Sequence, residues 1–301
     1  MVATIPPEEA QPPDSATEVP TVSPTFPPPT EAPPTYEPPP VSLTLAPTLT
    51  AVATEETVPY AVYNFGQSSR GFPFTAFQFN NGPQHVVIVG GIHGGYEWNT
   101  ILLAYEAIDY FLNNPAAVPD SVTLTIIPSA NPDGQELVTG KTGYFSVADL
   151  AADTIPGRFN GNNVDLNRNW DCLWAPTGTW RSREVSGGEA PFSEPESIAL
   201  RDFLLQKRPD AVIFLHSAAN GVFASGCPDT HQPSMDLASI YGAAAGYPVY
   251  ERFSAYEVTG DAGDWLSTQG ITSISIELKN HENLDLEQNL SGILAVLDYY
   301  K

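Results

Sequence analysis

The stretch Val86–Glu97, VVIVGGIHGGYE, decides how the chain is read. A run of β-branched residues closing on two glycines is the pattern of a buried strand that ends in a turn. His93 follows the turn, Glu97 lies four residues on, and Trp98 opens a segment of helical spacing. In open α/β sheets the C-terminal ends of buried strands face a crevice, so side chains there are free to build a site. Imidazole and carboxylate are both zinc ligands, and four residues is about one helical turn, so one ion can serve His93 and Glu97 together. On the residues alone, a surface hydrogen bond is the commoner explanation of such a pair, and a metal site needs a third ligand.

Outward from this stretch the chain alternates strands with helices. Tyr60–Phe65 and Phe72–Phe79 alternate aromatic with small or polar residues around Gln67–Gly71, which predicts a β-hairpin. Trp98–Asn113 places Ile101, Leu102, Tyr105, Ile108, Phe111 and Leu112 at helical spacing and closes at Asn114–Pro115. Val122–Ile127, Ala211–Leu215 and Ile274–Leu278 read as further buried strands. Pro195–Lys207, Ser234–Ala245 and Leu284–Tyr299 read as helices. Such alternation predicts an α/β sheet covered on both faces. His216 follows AVIFL much as His93 follows VVIVGG, so His93, Glu97 and His216 form a candidate ligand set with one position left open, the arrangement of catalytic rather than structural zinc. A satisfied core histidine is the competing reading of His216. His85, His231 and His281 sit in polar contexts and are expected to be solvated.

Composition divides the chain in two. Sixteen of the 30 prolines precede Tyr60, and residues 1–59 carry eight acids and no Lys or Arg. That segment has too little apolar surface to offset its ordering entropy, which predicts an extended, disordered linker ahead of one catalytic domain at 60–301. Its eight negative charges leave −15 of the chain's −23 for residues 60–301. A chain this acidic repels phosphate backbones, so nucleic acid is not expected as a partner. No run approaches the ~18 apolar residues of a membrane span. The opening MVATIPPEEA has no charged start or apolar region of a signal peptide. A Pro/Thr-rich acidic stalk nevertheless suits a bacterial protein that is extracellular or attached to the cell envelope, its export signal or anchor lying outside this sequence.

From His93 to Glu277 several motifs resemble, in order, those of the zinc carboxypeptidases of the carboxypeptidase A type. IHGGYEW resembles the first ligand motif and PSANPDG the family's Asn-Pro-Asp-Gly turn. Arg158-Phe159-Asn160 followed by VDLNRNW resembles the oxyanion arginine and the carboxylate-binding Asn-Arg pair. LHS, YEVTGDAGDW and SISIEL resemble the last ligand, the mobile tyrosine loop and the strand of the general base. The resemblance implies a three-layer α/β/α fold with a mixed, mostly parallel central sheet, and one zinc held by His93, Glu97 and His216. It implies Glu277 as general base and later proton donor, and Arg158 as oxyanion donor. Asn167, Arg168 and Tyr256 would bind the substrate, and Gly263, just before Asp264–Trp265, would help to select its last side chain. With no charge at Gly263, an apolar or aromatic terminal residue is expected.

One departure concerns spacing. The family usually has two residues between the first histidine and the glutamate, whereas Gly94, Gly95 and Tyr96 stand here; glycines can absorb an extra residue, and the alternative is that Glu97 only orients His93. Glu277 in an apolar strand is desolvated, which raises its pKa toward the working pH, although alternation leaves a pairing with Lys279 open. Cys172 follows VDLNRNW and Cys227 the loop after His216, so a disulfide between them is expected if both segments reach one cleft. The implied function is a monomeric zinc carboxypeptidase acting on peptides with a free terminal carboxylate. The alternatives are an amidase of cell-wall peptides, of the γ-D-glutamyl-diaminopimelate kind, a small-molecule deacylase, or a binding-only module. Retention of Glu277 speaks against the last.

Overall fold

A computed structural model describes residues 60–301, and the linker expected at 1–59 lies outside the described residues. The chain begins with an antiparallel hairpin, β1 (Tyr60–Gln67) and β2 (Pro73–Phe79). It continues through β3 (Gln84–Val89), α1 (Trp98–Asn113), β4 (Val122–Ile127) and α2 (Pro132–Thr139). A small hairpin follows, β5 (Thr177–Trp180) and β6 (Arg183–Ser186), then α3 (Pro195–Lys207), β7 (Ala211–Ser217) and β8 (Gly221–Ala224). The last elements are α4 (Gln232–Ala245), β9 (Val249–Tyr250), α5 (Ala262–Thr268), β10 (Thr272–Leu278) and α6 (Leu286–Tyr299).

Eight strands form one mixed sheet in the order β1-β2-β4-β3-β7-β10-β8-β9. Its centre, β4-β3-β7-β10, is parallel, and antiparallel pairings flank it. Alternation along the strands sorts side chains between two cores. Val86, Ile88, Ile213, Leu215, Ile274 and Ile276 pack with α1, α4 and α6 through Leu103, Phe111, Leu237 and Ile293. Val87, Val89, Val212 and Phe214 pack with α3 and α5 through Leu200, Phe203, Leu204 and Leu266. The sheet is therefore the middle of three layers, as the resemblance implied. Phe111 is fully buried, and truncating such a side chain to alanine costs roughly 3–5 kcal/mol.

The crossover β3-α1-β4 leaves β3 on one side, and β7 is added on the other. The topological switch point, where α/β sheets open a crevice, thus lies between the C-terminal ends of β3 and β7. His93 and His216 emerge at those ends. Nearby, Asn131, Pro132, Asp133 and Gly134, read from sequence as a turn, start a helix instead. Asn131 caps α2 by accepting from the Gly134 N–H at 2.9 Å, and Pro132 fills its first position. No helix among the described residues is long and apolar enough to cross a membrane.

Candidate functional site

The loop that leaves β3 is held tightly. Thr100 Oγ1 donates to the Glu97 carbonyl at 2.8 Å and accepts from the Gly91 N–H at 3.1 Å, so one side chain ties both ends of the turn. Gly94 adopts φ +45°, and a Cβ there would meet the Gly157 carbonyl at 2.5 Å. Only glycine fits, and the extra residue between the ligands is taken up in a short 3₁₀ turn, Gly94–Glu97.

That turn brings the three predicted ligands together. The candidate ligand atoms of His93, Glu97 and His216 all lie within 4.8 Å of one another, and all three residues are buried. Glu97 Oε1 is 2.8 Å from His93 Nδ1, and Oε2 is 3.4 Å from His216 Nδ1. Glu97 therefore faces the same point as both histidines and does not stand behind His93. Burial pushes its carboxyl up, but the two histidines outweigh this and hold it below the usual range. The Ser217 N–H adds a 3.2 Å bond to Oε2.

The far nitrogen of His93 completes the test of fit. Nε2 is buried without a hydrogen bond and faces Asp165 Oδ1 at 3.5 Å. A carboxylate behind a histidine that presents its other nitrogen to a shared centre is the usual support of a metal ligand. Two imidazoles and one carboxylate, with a fourth position left over, match a catalytic zinc. The donor set fits. Asp165 was missed in the sequence, where it reads only as part of VDLNRNW. Burial raises its carboxyl, but Arg158, Arg168 and His93 together hold it well below the usual range.

Glu277 stands on β10 directly beside His216 on β7. Ile274, Ile276 and Leu278 turn to the core, so Ser273, Ser275 and Glu277 share the opposite face. Part of Glu277 opens to the cavity, yet desolvation pushes its pKa up to about 7 against the pull of His216. The Ala219 N–H donates to Oε2 at 3.0 Å. The pairing with Lys279 does not form, because Lys279 Nζ donates to Gln288 at 2.6 Å and lies 3.7 Å from Asp285.

The two arginines are placed differently. Arg158 is buried beside the ligand set, its Nε donating to Asp165 Oδ2 at 2.9 Å and its guanidinium 4.6 Å from the Trp180 ring. Its Nη2 is 2.7 Å from Asp165 Oδ2 but too poorly aligned for a hydrogen bond, and Nη1 is 3.8 Å from Glu97. Arg158 thus keeps donors uncommitted next to the ligands. Arg168 lines a cavity of about 490 Å³ with His93, His216, Tyr256 and Glu277. Its Nε and Nη2 donate to the Thr179 carbonyl and Nη1 to the Asn167 carbonyl. Among the described residues no carboxylate lies within 4.0 Å of it.

Asn167 also lines the cavity, but its amide is largely engaged. Nδ2 donates to Asp261 at 2.7 Å and Oδ1 accepts from the Ala262 N–H at 3.0 Å, fixing the start of α5. Tyr256 is half-buried in the cavity wall, edge-on to Phe253. Gly263 departs from expectation. It is buried within α5, where a Cβ would meet Ser225 Oγ at 2.6 Å and Ser273 Oγ at 2.9 Å, so it lies beneath the cavity floor. Ser225, Asp261, Asp264 and Ser275 form the wall instead. Leu173, Phe223, Ala224, Pro228, Phe253 and Val258 line the same cavity, so its wall is mixed polar and apolar. Burial, with Asp261 adding to it, pushes Asp264 up to about 7.

The expected disulfide is present, Cys172–Cys227 with Cα atoms 6.2 Å apart, and it joins the segments that bring Leu173 and Gly226 to the cavity. The expectation for the remaining histidines is corrected. His85 is buried on β3, its Nε2 2.9 Å from Thr125 Oγ1, because the strand runs on to residues that sequence polarity had assigned to a loop. His281 is half-buried between Tyr96 OH at 3.2 Å and Ser217 Oγ at 2.9 Å. His231 is partly covered at the start of α4.

Comparison with known proteins agrees with this geometry. A family model described as zinc carboxypeptidase matches residues 48–293. Carboxypeptidase B of Astacus astacus is 24% identical over 293 residues, 84% of this chain and 94% of that protein. Carboxypeptidase Z of Rattus norvegicus is 31% identical over 124 residues, only 37% of this chain and 18% of that one. Bovine thrombin-activatable fibrinolysis inhibitor, solved with tick carboxypeptidase inhibitor, shares the fold at TM-score 0.64 and 20% identity, over 80% of this chain and 90% of that one. Murein-tripeptide amidase MpaA from Escherichia coli O157 does so at 0.56 and 20%, over 81% and 93%. A ligand set at the switch point of the sheet, a carboxylate on the neighbouring strand and a family match across most of the chain lead to one assignment: the chain belongs to the zinc carboxypeptidase family.

Proposed function

We propose that the protein is a zinc-dependent carboxypeptidase that hydrolyses the C-terminal peptide bond of its substrate. The observation that carries this is Arg168, buried in the cavity wall with its fork fixed by carbonyls and no carboxylate beside it among the described residues. A buried guanidinium lacking a counter-ion is costly, and a substrate's terminal carboxylate matches it in charge and shape.

His93, Glu97 and His216 would hold the zinc, which when bound supplies a Lewis acid that makes water nucleophilic near neutral pH. Glu277, with its raised pKa, takes a proton from the attacking water and returns it to the leaving amine. Arg158 offers its free donors to the developing oxyanion from a dry position fixed by Asp165 and Trp180. Arg168 holds the terminal carboxylate, and Tyr256 with Phe253 covers the cavity and limits the entry of water. A cell-wall peptide amidase is the second reading, supported by the likeness to the murein-tripeptide amidase over 93% of its length. An extracellular or envelope location is supported by the Cys172–Cys227 disulfide, since such bonds persist in oxidising compartments. The test is a panel of peptides presented as free acids and as C-terminal amides to zinc-loaded protein. Hydrolysis confined to the free acids supports an exopeptidase, and equal hydrolysis of both sinks it.

A further inference from the structure

Trp180, the last residue of β5, has three guanidinium groups around one indole. Arg158 lies 4.6 Å from the ring centroid, Arg183 5.6 Å and Arg181 5.7 Å. Each is close enough to be drawn to the ring, but the three cations repel one another. Asp165 neutralises Arg158. Arg181 and Arg183 are exposed and have no carboxylate within 4.0 Å among the described residues. In a chain with 35 acids against 12 Lys and Arg, a hairpin carrying two arginines without an ion pair and one acid, Glu184, is a basic patch that can receive an anion from elsewhere.

The place of this group relative to the reaction is fixed by its contacts. Trp180 packs edge-on against Tyr96 at 5.0 Å. Tyr96 OH meets His281, and His281 meets Ser217. Tyr96 and Ser217 are the chain neighbours of the ligands Glu97 and His216. None of Tyr96, Trp180, Arg181 or His281 lines the cavity that holds Arg168. β5 passes from Thr179, which holds Arg168, to Trp180 beside Tyr96, so a peptide with its terminal carboxylate on Arg168 and its scissile carbonyl at the ligand set would run along the hairpin toward Tyr96.

We propose that the β5–β6 hairpin forms a subsite for a carboxylate on the acyl side of the scissile bond, with Arg181 and Arg183 as its donors. The favoured substrate then has an acidic residue immediately before the one removed. This rests on the carboxypeptidase reading for the direction of the chain. The carboxylate can be the side chain of an α-linked glutamate or the main-chain carboxylate of a γ-linked one, and the chemistry at the arginines is the same.

The test measures kcat/KM of zinc-loaded protein on matched N-acetylated dipeptides with α-linked Glu, γ-linked Glu, Gln or Lys before the residue removed. The expected result is a preference of about tenfold for one or both Glu forms over Gln, typical of a charge-assisted contact, with Lys poorest and the preference shrinking at high salt. Which Glu form is favoured identifies the source of the carboxylate. The double substitution Arg181→Gln with Arg183→Gln should abolish the preference, bringing the Glu peptides to the rate of the Gln peptide. Calorimetric binding of the same peptides to Glu277→Gln protein reads the preference without turnover. Equal values for Gln and both Glu forms, or a preference that survives the double substitution, overturns the subsite. A C-terminal amide arm cleaved as fast as its free acid overturns the carboxypeptidase reading and leaves the Glu to Gln ratio readable, so the two failures are distinct.

Discussion

Glu277 and His216 are direct partners across the parallel β10–β7 pair. The proposed base and a metal ligand are thus set at the same height on neighbouring strands by the sheet's own hydrogen bonds, not by a mobile loop. Glu277→Gln keeps the shape but cannot accept a proton, so turnover should fall by roughly 10²–10⁴-fold with zinc content unchanged. Near-normal turnover would place the base elsewhere.

The same carboxylate sets a pH dependence. Its pKa is raised to about 7 by desolvation, and a base must be ionised, so kcat/KM should decline as pH falls through that value. A dication held by His93, Glu97 and His216 favours the ionised form, which puts the midpoint at or below about 7. A kcat/KM that shows no decline at any pH below about 7 would contradict this assignment.

His216→Ala should abolish stoichiometric zinc binding, because two protein ligands leave an incomplete shell. Asp165→Asn is the subtler variant, removing the charge behind His93 while keeping its size. Zinc affinity should weaken by about 10–100-fold, the usual effect of losing such support. Competition with a chelator measures it, and wild-type affinity in Asp165→Asn would show that the 3.5 Å approach to His93 has no influence on the metal.

Arg168→Ala should raise KM strongly at normal zinc content. In the wild type, an amidated peptide should react at least ~100-fold more slowly than its free acid, since the loss of a buried charge-assisted pair is worth several kcal/mol and 1.4 kcal/mol is tenfold. A KM unaffected by the substitution would remove Arg168 from substrate recognition.

His85 yields a prediction about stability. Burial and the charge of Lys207 lower its pKa from 6.5 to about 4, against the pull of Asp210. The unfolded chain therefore binds more protons between those values, and stability rises with pH there. The contribution is fully present above about 6.5, is lost as pH falls and levels off near 4. His85→Gln should soften the loss between pH 7 and 5 by about 1–2 kcal/mol, allowing for partial contact with water. Urea unfolding at both pH values checks it, and identical losses in the two proteins would refute it.

The long elements were legible because their periods are unambiguous. α1, β4 and α3 fall at the predicted bounds, since α1 is an amphipathic run, β4 an apolar one, and α3 opens on Pro195 and Glu196, a helix start that needs no apolar period. β5, β6, β8 and β9 were not, because strands of two to four residues carry no readable period. Of the site, the ligands and Glu277 stood out at the ends of apolar runs. Asp165 and Trp180 did not, since their roles depend on which atoms of His93 and Arg158 they meet in space. Gly263 was misplaced by one layer because a position next to a motif does not reveal which way a helix turns.

Arg168 is held by the carbonyl of Thr179, a main-chain atom that every residue at that position would supply. The hairpin can therefore change side chains without loosening the arginine behind it. Gly178 is the exception, because a Cβ there would come within 2.8 Å of Arg168 Cδ. Descendants of this chain could rewrite positions 181 and 183 and acquire new substrate preferences while inheriting the same grip on the terminal carboxylate, so selectivity and anchoring are free to evolve separately.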